Sequence, residues 1–287
     1  MGILKFRPVL VFYIIPAFLV YTAFFIVPFM QTVYYSFFNW DGFNTPKFVG
    51  IKNYITVFRD DLFVTGIGRV LLWALLAIIF KVGISLLLAN LLRKKTVGYN
   101  LFRTAYFVPV VISSAAMCLI FTLVYDKDIG LLNAMLRGAG LSPLAKSWLS
   151  NPSTAFYAVI AVQIFAGIGF LFLIVLAALG DVPHELYEAA EIDGAGAWTT
   201  FWRITLPMLW PVVQGCIILA VTSSLKSFDY IFILTGGGPG TATEVPATQM
   251  YKTIFSGLQY GLGSCMAVVI FLLALIISVL TRKLRSV

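Results

Sequence analysis

The sequence predicts an all-α membrane protein with six transmembrane helices. Of its 287 residues, 60% are hydrophobic and only 11% are charged, whereas soluble domains carry about 25% charged residues. Six apolar runs each reach the roughly 20 residues that a spanning helix needs. Because these runs are continuous rather than alternating, helices are favoured over the strands of a membrane barrel.

The six runs predict spans within a single transmembrane domain that covers residues 1–287. The first run follows Lys5 and Arg7, as in a signal peptide, but it is too long and lacks a small-residue cleavage site, so a retained span is predicted. Lys226 and Asp229 interrupt the fifth run, where they could form an intrahelical ion pair or mark the outer end of a pathway. The predicted spans are 9–30, 70–92, 104–124, 154–179, 204–233 and 261–281.

Basic residues predict the orientation. Six spans place both termini on one side, and the positive-inside rule makes the side with dense Lys and Arg the cytoplasm. The opposite segments, 31–69, 125–153 and 234–260, carry eight Lys and Arg over many more residues. For a chain with this distribution of basic residues, the net charge of +8 indicates contact with lipid headgroups rather than with nucleic acid. The dense clusters are Lys5 and Arg7, then Arg93, Lys94, Lys95 and Arg103, then Arg282, Lys283 and Arg285.

A loop at about 181–203, on the predicted cytoplasmic side, holds five acidic residues and Arg203 as its one Lys or Arg. The segment "PHELYEAAEIDGAG" predicts a short helix over 183–193, with Asp181 as N-cap and Gly194 as terminator. Leu186, Ala189, Ala190 and Asp193 share one face by their spacing. Such a helix fits either a docking element or a helix that only shields the bundle.

This loop resembles the EAA loop of binding-protein-dependent ABC importers. The family pattern is E-A-A, three residues, G, nine residues, then I-x-L-P. The chain has Glu188-Ala189-Ala190, then Gly194, then Ile204, Leu206 and Pro207 at that spacing. Segments 102–113, 125–140 and 234–255 are similar to the sugar-type branch, called carbohydrate-uptake type 1, so the resemblance covers about residues 8–287.

The resemblance implies a type I ABC importer permease fold in a bacterial or archaeal cytoplasmic (inner) membrane. It implies four partners, which are a second homologous permease, an ABC ATPase dimer, an extracytoplasmic solute-binding protein and a sugar or oligosaccharide. The EAA helix would be the coupling helix that sits in a cleft of the ATPase. The implied coupling residues are Glu188, Ala189, Ala190, Asp193, Gly194, Leu206 and Pro207.

The sequence lacks the motifs that would indicate an ATP-binding or catalytic site in this chain. There is no GxxxxGK[ST] phosphate loop, and "GGGPG" at 236–240 is interpreted as a tight outer turn. We therefore expect no catalytic residues, no metal ligands and no cofactor in this chain, with ATP and Mg held by partner subunits. Without HExxH or GxSxG an intramembrane enzyme is disfavoured, and no clear inverted repeat suggests a stand-alone carrier. The three cysteines, Cys118, Cys216 and Cys265, lie inside apolar runs and are predicted to be buried.

Polar residues inside the predicted spans are candidates for substrate contact, because polar groups in a bilayer usually face a cavity or a partner helix. The resemblance places Gln163, Gly167, Phe170, Ser224 and Ser227 where the family's sugar site is lined. Each could instead be a helix–helix contact. Lys81 is expected to face a partner subunit, a polar cavity or a carboxylate, and is not assigned to substrate. The alternative function is the same architecture importing another solute, such as glycerol-3-phosphate or an amino acid.

Overall fold

The computed structural model describes residues 8–93 and 98–283. Lys5, Arg7, Lys94, Lys95 and Arg285 lie outside the described residues, as do the side chains of Arg282 and Lys283. Most of the described chain is helical and very little of it is sheet, which confirms the predicted all-α class. The helices are α1 (Pro8–Tyr21), α2 (Val27–Tyr35), α3 (Lys52–Arg59), α4 (Asp61–Leu76), α5 (Gly83–Leu91), α6 (Tyr99–Val111), α7 (Ser114–Val124), α8 (Leu131–Gly138), α9 (Ala155–Leu179), α10 (His184–Ile192), α11 (Ala197–Thr200), α12 (Leu206–Leu225), α13 (Asp229–Leu234), α14 (Pro246–Phe255) and α15 (Tyr260–Lys283).

Short π-helical stretches join several of these helices end to end. They are Thr22–Ile26 between α1 and α2, Ala77–Val82 between α4 and α5, and Phe201–Thr205 between α11 and α12. The strands described are β1 (Phe38–Asn39) and β2 (Lys47–Phe48), which pair antiparallel with Phe38 opposite Phe48.

Six segments account for the membrane spans. Five continuous helical segments are long and apolar enough to cross a bilayer, and the pair α6 and α7 makes a sixth if it counts as one broken span. The structure thus agrees with the predicted all-α membrane fold, although the helix ends differ from the predicted runs. The five continuous segments are Ile14–Tyr35, Asp61–Leu91, Ala155–Leu179, Ala197–Leu225 and Tyr260–Leu280.

The third predicted run, 104–124, is not straight, because α6 and α7 meet at an angle of 101°. Ile112 and Ser113 between them are extended. Pro109 lies in the last turn of α6 and has no N–H for the helix ladder. The Ser113 hydroxyl accepts a hydrogen bond from the Ala116 N–H at 3.3 Å and so caps the start of α7.

The fifth predicted run, 204–233, also has different ends. Its helical segment begins at Ala197, ends at Leu225, and is followed by the separate helix α13. Hydroxyls near the break bond back to the helix backbone, including Ser224 to the Ala220 carbonyl at 2.9 Å, and such bonds compete with the regular ladder. Lys226 and Asp229 therefore flank a break, and within the described residues no salt bridge joins them, so the predicted intrahelical pair is not formed.

The chain divides into two compact units, Met1–Asp61 with Gln249–Phe271 and Leu62–Thr248 with Leu272–Val287. In the first unit, the Asn53 amide donates to the carbonyls of Ser36 and Phe38 at 2.9 and 2.8 Å. In the second unit, α9 is the central helix and packs against α5, α6 and α12. Its largely buried side chains include Val159, Val162, Phe172 and Val175.

A fully buried asparagine organises the predicted outer loop 125–153. The Asn133 amide donates to the carbonyls of Asp126, Lys127 and Lys146 at 3.3, 3.1 and 3.0 Å. Its carbonyl oxygen accepts from the Lys146 N–H and the Trp148 indole at 3.3 and 2.9 Å. In the same loop, backbone N–H groups of Ile129 and Asp128 bond the Asp126 carboxylate and lower its pKa.

Replacing Asn133 with alanine is expected to destabilise this loop strongly. The change removes five hydrogen bonds, and a buried polar group left unpaired costs about 1–3 kcal/mol. Asn151→Ala is the matched control, because the described hydrogen bonds of the Asn151 side chain are exposed ones from Ser153. Limited proteolysis in detergent should cut the Asn133→Ala loop at least tenfold faster than the control. Equal cleavage rates would contradict this role.

Candidate functional site

The predicted cytoplasmic helix is present as α10, one residue shorter at each end than the range 183–193. Pro183 occupies the N-cap position without a side-chain cap, so the predicted Asp181 cap is wrong. Pro fits here because its missing N–H would have no partner in the first turn of a helix. Four residues apart along α10, His184 Nδ1 lies 3.2 Å from Glu188 Oε1.

Gly194 ends this helix in a left-handed conformation, with φ of +72°. The Gly194 N–H donates to the Glu191 carbonyl at 3.2 Å, and the Ala195 N–H donates to the Ala190 carbonyl at 2.8 Å. These two bonds make a Schellman motif, which favours glycine because other residues are strained at positive φ. Backbone geometry thus explains the glycine that follows Glu-Ala-Ala by three residues.

Much of the α10 segment is exposed. Of the predicted face, Ala190 is buried, whereas Leu186, Ala189 and Asp193 are exposed. Glu188 and Gly194 are exposed as well. Two large apolar side chains are also uncovered, since Ile192 is 86% exposed and Trp198 is 68% exposed.

Tyr187 connects α10 to both neighbouring spans. The Arg93 guanidinium, just after α5, lies 3.8 Å from the centre of the Tyr187 ring, a favourable cation–π distance. The Tyr187 hydroxyl lies 3.3 Å from the Thr205 hydroxyl, which is in the π-helical stretch before α12. A concavity of about 1210 Å³ runs along this side of α10. A displacement of α10 would therefore act directly on the end of the segment Asp61–Leu91 and on the interior of the segment Ala197–Leu225.

Leu206 and Pro207 lie ten residues inside the continuous segment Ala197–Leu225, not at its start as the predicted run implied. Leu206 is half-buried and Pro207 is exposed. Proline cannot donate a hydrogen bond and crowds the carbonyl four residues earlier. The π-helical stretch Phe201–Thr205 precedes Pro207 directly, and such an irregularity lets a helix continue through proline.

A cavity of about 350 Å³ with several polar lining residues lies between α9, the end of α12 and the π-helical stretch Ala77–Val82, all of which belong to candidate membrane spans. The Ser223 hydroxyl takes part in three hydrogen bonds at this cavity. It accepts from Lys81 Nζ at 3.3 Å and from the Gln163 amide at 3.2 Å, and it donates to the Ala220 carbonyl at 2.8 Å. The cavity is lined by Lys81, Gln163, Ala166, Gly167, Ser223, Lys226, Ser227, Phe228, Asp229 and Tyr230.

Gly167 makes room for the lysine. A Cβ atom at this position would lie 2.1 Å from Lys81 Cε and 2.4 Å from Lys81 Nζ. The lysine stem therefore crosses α9 at the glycine, and Lys81 is only 7% exposed. The Gln163 amide is held in turn, since its oxygen accepts from the Trp73 indole at 3.4 Å.

Three of the five predicted substrate residues line this cavity, namely Gln163, Gly167 and Ser227. Ser224 is buried beside the cavity, with its hydroxyl on the Ala220 carbonyl. Phe170 lies outside the cavity lining and is 48% exposed. Lys81 and Ser223 lie in the cavity although the sequence did not assign them to substrate. The available signal for Lys81 was a charged residue in the middle of an apolar run, but periodicity alone did not reveal which helix it faced.

Spanning helices that enclose a polar cavity, together with an exposed helix in a connecting loop, define a membrane transport subunit. The chain belongs to the family described as binding-protein-dependent transport system inner membrane component, whose model matches residues 81–286. Members of this family are transport components rather than ATPases, so the chain is a permease of the inner membrane.

Known proteins similar to this chain span nearly its whole length. It is 38% identical to the osmoprotective compounds uptake permease protein GgtC of Synechocystis, over 95% of this chain and 96% of that protein. It is 35% identical to the multiple sugar-binding transport system permease protein MsmF of Streptococcus mutans, over 96% and 94%. A bacterial alginate ABC transporter, solved in complex with an alginate pentasaccharide-bound periplasmic protein, contains a chain with the same fold. The TM-score is 0.82 at 23% identity, over 95% of this chain and 92% of that chain.

Proposed function

We propose that this permease forms, with a second homologous permease, the translocation path of an ATP-driven importer for a sugar or oligosaccharide. An extracytoplasmic solute-binding protein delivers the substrate, and an ABC ATPase dimer binds ATP and Mg and hydrolyses the ATP. The observation that carries the proposal is the amide- and hydroxyl-lined cavity at membrane depth in a chain of this family. Relatives named for sugar transport, such as MsmF, support the substrate class.

The cavity supplies the chemistry that a sugar requires. Sugar hydroxyls are recognised by side chains that both donate and accept hydrogen bonds. Gln163 and Ser227 provide an amide and a hydroxyl on its wall, and Gly167 leaves room for the Lys81 side chain beside them. We assign substrate contact to these three residues. Ser224 and Phe170 stay predictions from the resemblance.

The exposed helix α10 is proposed as the contact to the ATPase. Glu188, Ala189, Asp193 and Gly194 would lie at this contact, with Ala190 packed beneath them. Exposure of Ile192 supports the assignment, because a large apolar side chain in water gains free energy when a partner covers it. Leu206 and Pro207 would carry the displacement into α12, since they follow Thr205 at its start.

Both termini are proposed to be cytoplasmic, which places α10 on the ATPase side of the membrane. An even number of spans and the basic segment around Arg93 and Arg103 support this orientation. The same architecture serving another solute, such as glycerol-3-phosphate, is the second candidate. The relative GgtC, which is named for the uptake of osmoprotective compounds, supports this second candidate.

Removing the polar groups of the cavity should impair transport without preventing ATP hydrolysis by the partner subunits. Gln163→Ala and Ser227→Ala are each expected to lower substrate uptake at least tenfold, because each removes a hydrogen-bonding group from the cavity wall. Basal ATP hydrolysis should stay within twofold of wild type. Both quantities are measured on the reconstituted complex in proteoliposomes.

Thr222→Val is the matched control for these variants. Thr222 lies in the last turn of α12, five residues before Ser227, and its hydroxyl bonds the Ile218 carbonyl at 2.7 Å rather than facing the cavity. Its uptake should be unchanged. Wild-type transport by both cavity variants would remove Gln163 and Ser227 from the substrate site.

A further inference from the structure

The cavity contains a buried cation that has no anionic partner among the residues that the structure describes. Lys81 is 7% exposed, and its described hydrogen-bond partner is the neutral Ser223 hydroxyl at 3.3 Å. Within residues 8–93 and 98–283, no carboxylate lies within 4.0 Å of its ammonium group. A charged lysine at membrane depth costs about 2.5–3.5 kcal/mol on insertion scales unless it faces water or a partner. This residue therefore marks a place where negative charge is favoured.

The charged residues that line the cavity sum to a net positive charge. Lys226 and Asp229 are the other charged residues of its lining, so two lysines face one aspartate and the net charge is +1. The Asp229 carboxylate is also engaged, since it accepts from the Ser114 hydroxyl at 3.4 Å. No described salt bridge joins Asp229 to either lysine.

The side chains around Ser223 in the cavity offer a ligand more hydrogen-bond donors than acceptors. The Ser223 hydroxyl accepts from both Lys81 and Gln163 and donates its proton to the Ala220 carbonyl. The Ser227 hydroxyl donates to the Ser223 carbonyl at 2.8 Å. An ammonium group has three N–H donors and an amide has two, so Lys81 and Gln163 keep donors for a ligand. Oxygen atoms that carry negative charge fit such a wall best.

We infer that this cavity binds the anionic group of an acidic sugar, a carboxylate or a phosphate, with Lys81 as its main contact. The inference rests on the proposed function, because it names the substrate class of the same path. Lys81 and the Gln163 amide hold two of the anionic oxygens, and the sugar ring occupies the rest of the cavity. A neutral sugar would leave the lysine unpaired and would therefore bind less tightly.

Saturation binding to the purified complex tests this inference. The complex of this chain with its permease and ATPase partners, in lipid nanodiscs, is titrated with trigalacturonate, trehalose 6-phosphate and neutral maltotriose. The wild type should bind at least one acidic sugar at least tenfold more tightly than maltotriose. A preference for trigalacturonate identifies a carboxylate ligand, and a preference for trehalose 6-phosphate identifies a phosphate ligand.

Two substitutions at Lys81 separate charge from packing. Lys81→Met keeps a long stem across Gly167 without the charge, and should weaken binding of the acidic sugar at least tenfold. Lys81→Arg keeps the charge and should retain most of the affinity. Lys47→Met, at an exposed position of β2, is the matched control and should bind like wild type.

Several results would overturn the inference. They are tighter binding of maltotriose, no saturable binding of either acidic sugar, or unchanged acidic-sugar affinity in Lys81→Met. Dissociation of the Lys81→Met complex into separate subunits would also overturn it, since that would assign the lysine to a carboxylate of the second permease. If maltotriose binds and Gln163→Ala abolishes its binding while acidic sugars do not bind, the sugar path stands and only the anionic class fails.

Discussion

Replacing Gly194 with threonine is expected to abolish ATP-driven uptake, with a loss of at least fiftyfold. Gly194 has a φ of +72°, a conformation in which a β-branched residue is strongly disfavoured. The substitution would break the two hydrogen bonds that end α10 and re-aim the segment that follows it. Uptake and ATP hydrolysis by the reconstituted complex are the measurements, and hydrolysis should no longer respond to the solute-binding protein.

Gly196→Thr is a matched control two residues away. Gly196 has a φ of −67° at the N-cap of α11, and threonine is a favourable N-cap residue. A Cβ atom at either glycine would have no neighbour within 4 Å, so both variants should fold. Equal uptake by the two variants would show that the glycine conformation at the end of α10 does not matter for coupling.

Replacing Gly169 with alanine is expected to destabilise the helix bundle itself. A Cβ atom on α9 at this position would lie 2.0 Å from the Tyr106 carbonyl oxygen of α6, and backbone cannot move aside as a flexible side chain can. Overpacking of a core costs about 1–3 kcal/mol and occasionally more. Thermal unfolding of the purified complex should shift to clearly lower temperature, with reduced abundance in the membrane.

Gly215→Ala provides the comparison for the bundle. It is also a glycine inside a spanning helix, but a Cβ atom there would have no neighbour within 4 Å. Alanine is favoured over glycine in a helix interior by roughly 0.5–1 kcal/mol, so this variant should be at least as stable as wild type. A Gly169→Ala complex as stable as Gly215→Ala would contradict the close packing of α6 and α9.

Hydrophobicity predicted the spanning helices well because each must cover its backbone with about 20 apolar residues. It could not place their ends. The predicted run 204–233 continues past Ser223 and Ser227, whose hydroxyls bond backbone carbonyls one turn earlier, but the helix ends between them at Leu225. The bend at Ile112 had a local signal in Pro109 and Ser113, but the length of the run masked it.

The candidate site also has a part that could be predicted from the sequence and a part that could not. Gly194 could be read from the sequence, because its role depends on the local backbone and on spacing along one segment. The meeting of Lys81 with Gly167 and Ser223 could not, since these residues are brought together by the packing of three helical segments. Phe170 shares a helix face with Gln163 and Gly167, yet it is 48% exposed and outside the cavity lining, because it lies seven residues, about 10 Å, further along the helix axis than Gln163.

Cross-linking from Ile192 tests the central claim, that α10 is the contact to the ATPase, most directly. Ile192 is 86% exposed at the end of α10, so a photoreactive benzoyl-phenylalanine fits there without disturbing the bundle. Illumination of membranes that contain the whole complex should link this position to the ATP-hydrolysing subunit, and the yield should change when a non-hydrolysable ATP analogue is added. The same group at Ile129, 81% exposed in the predicted outer loop, should give no such product. Cross-links from Ile192 to lipid or to the second permease alone would contradict the claim.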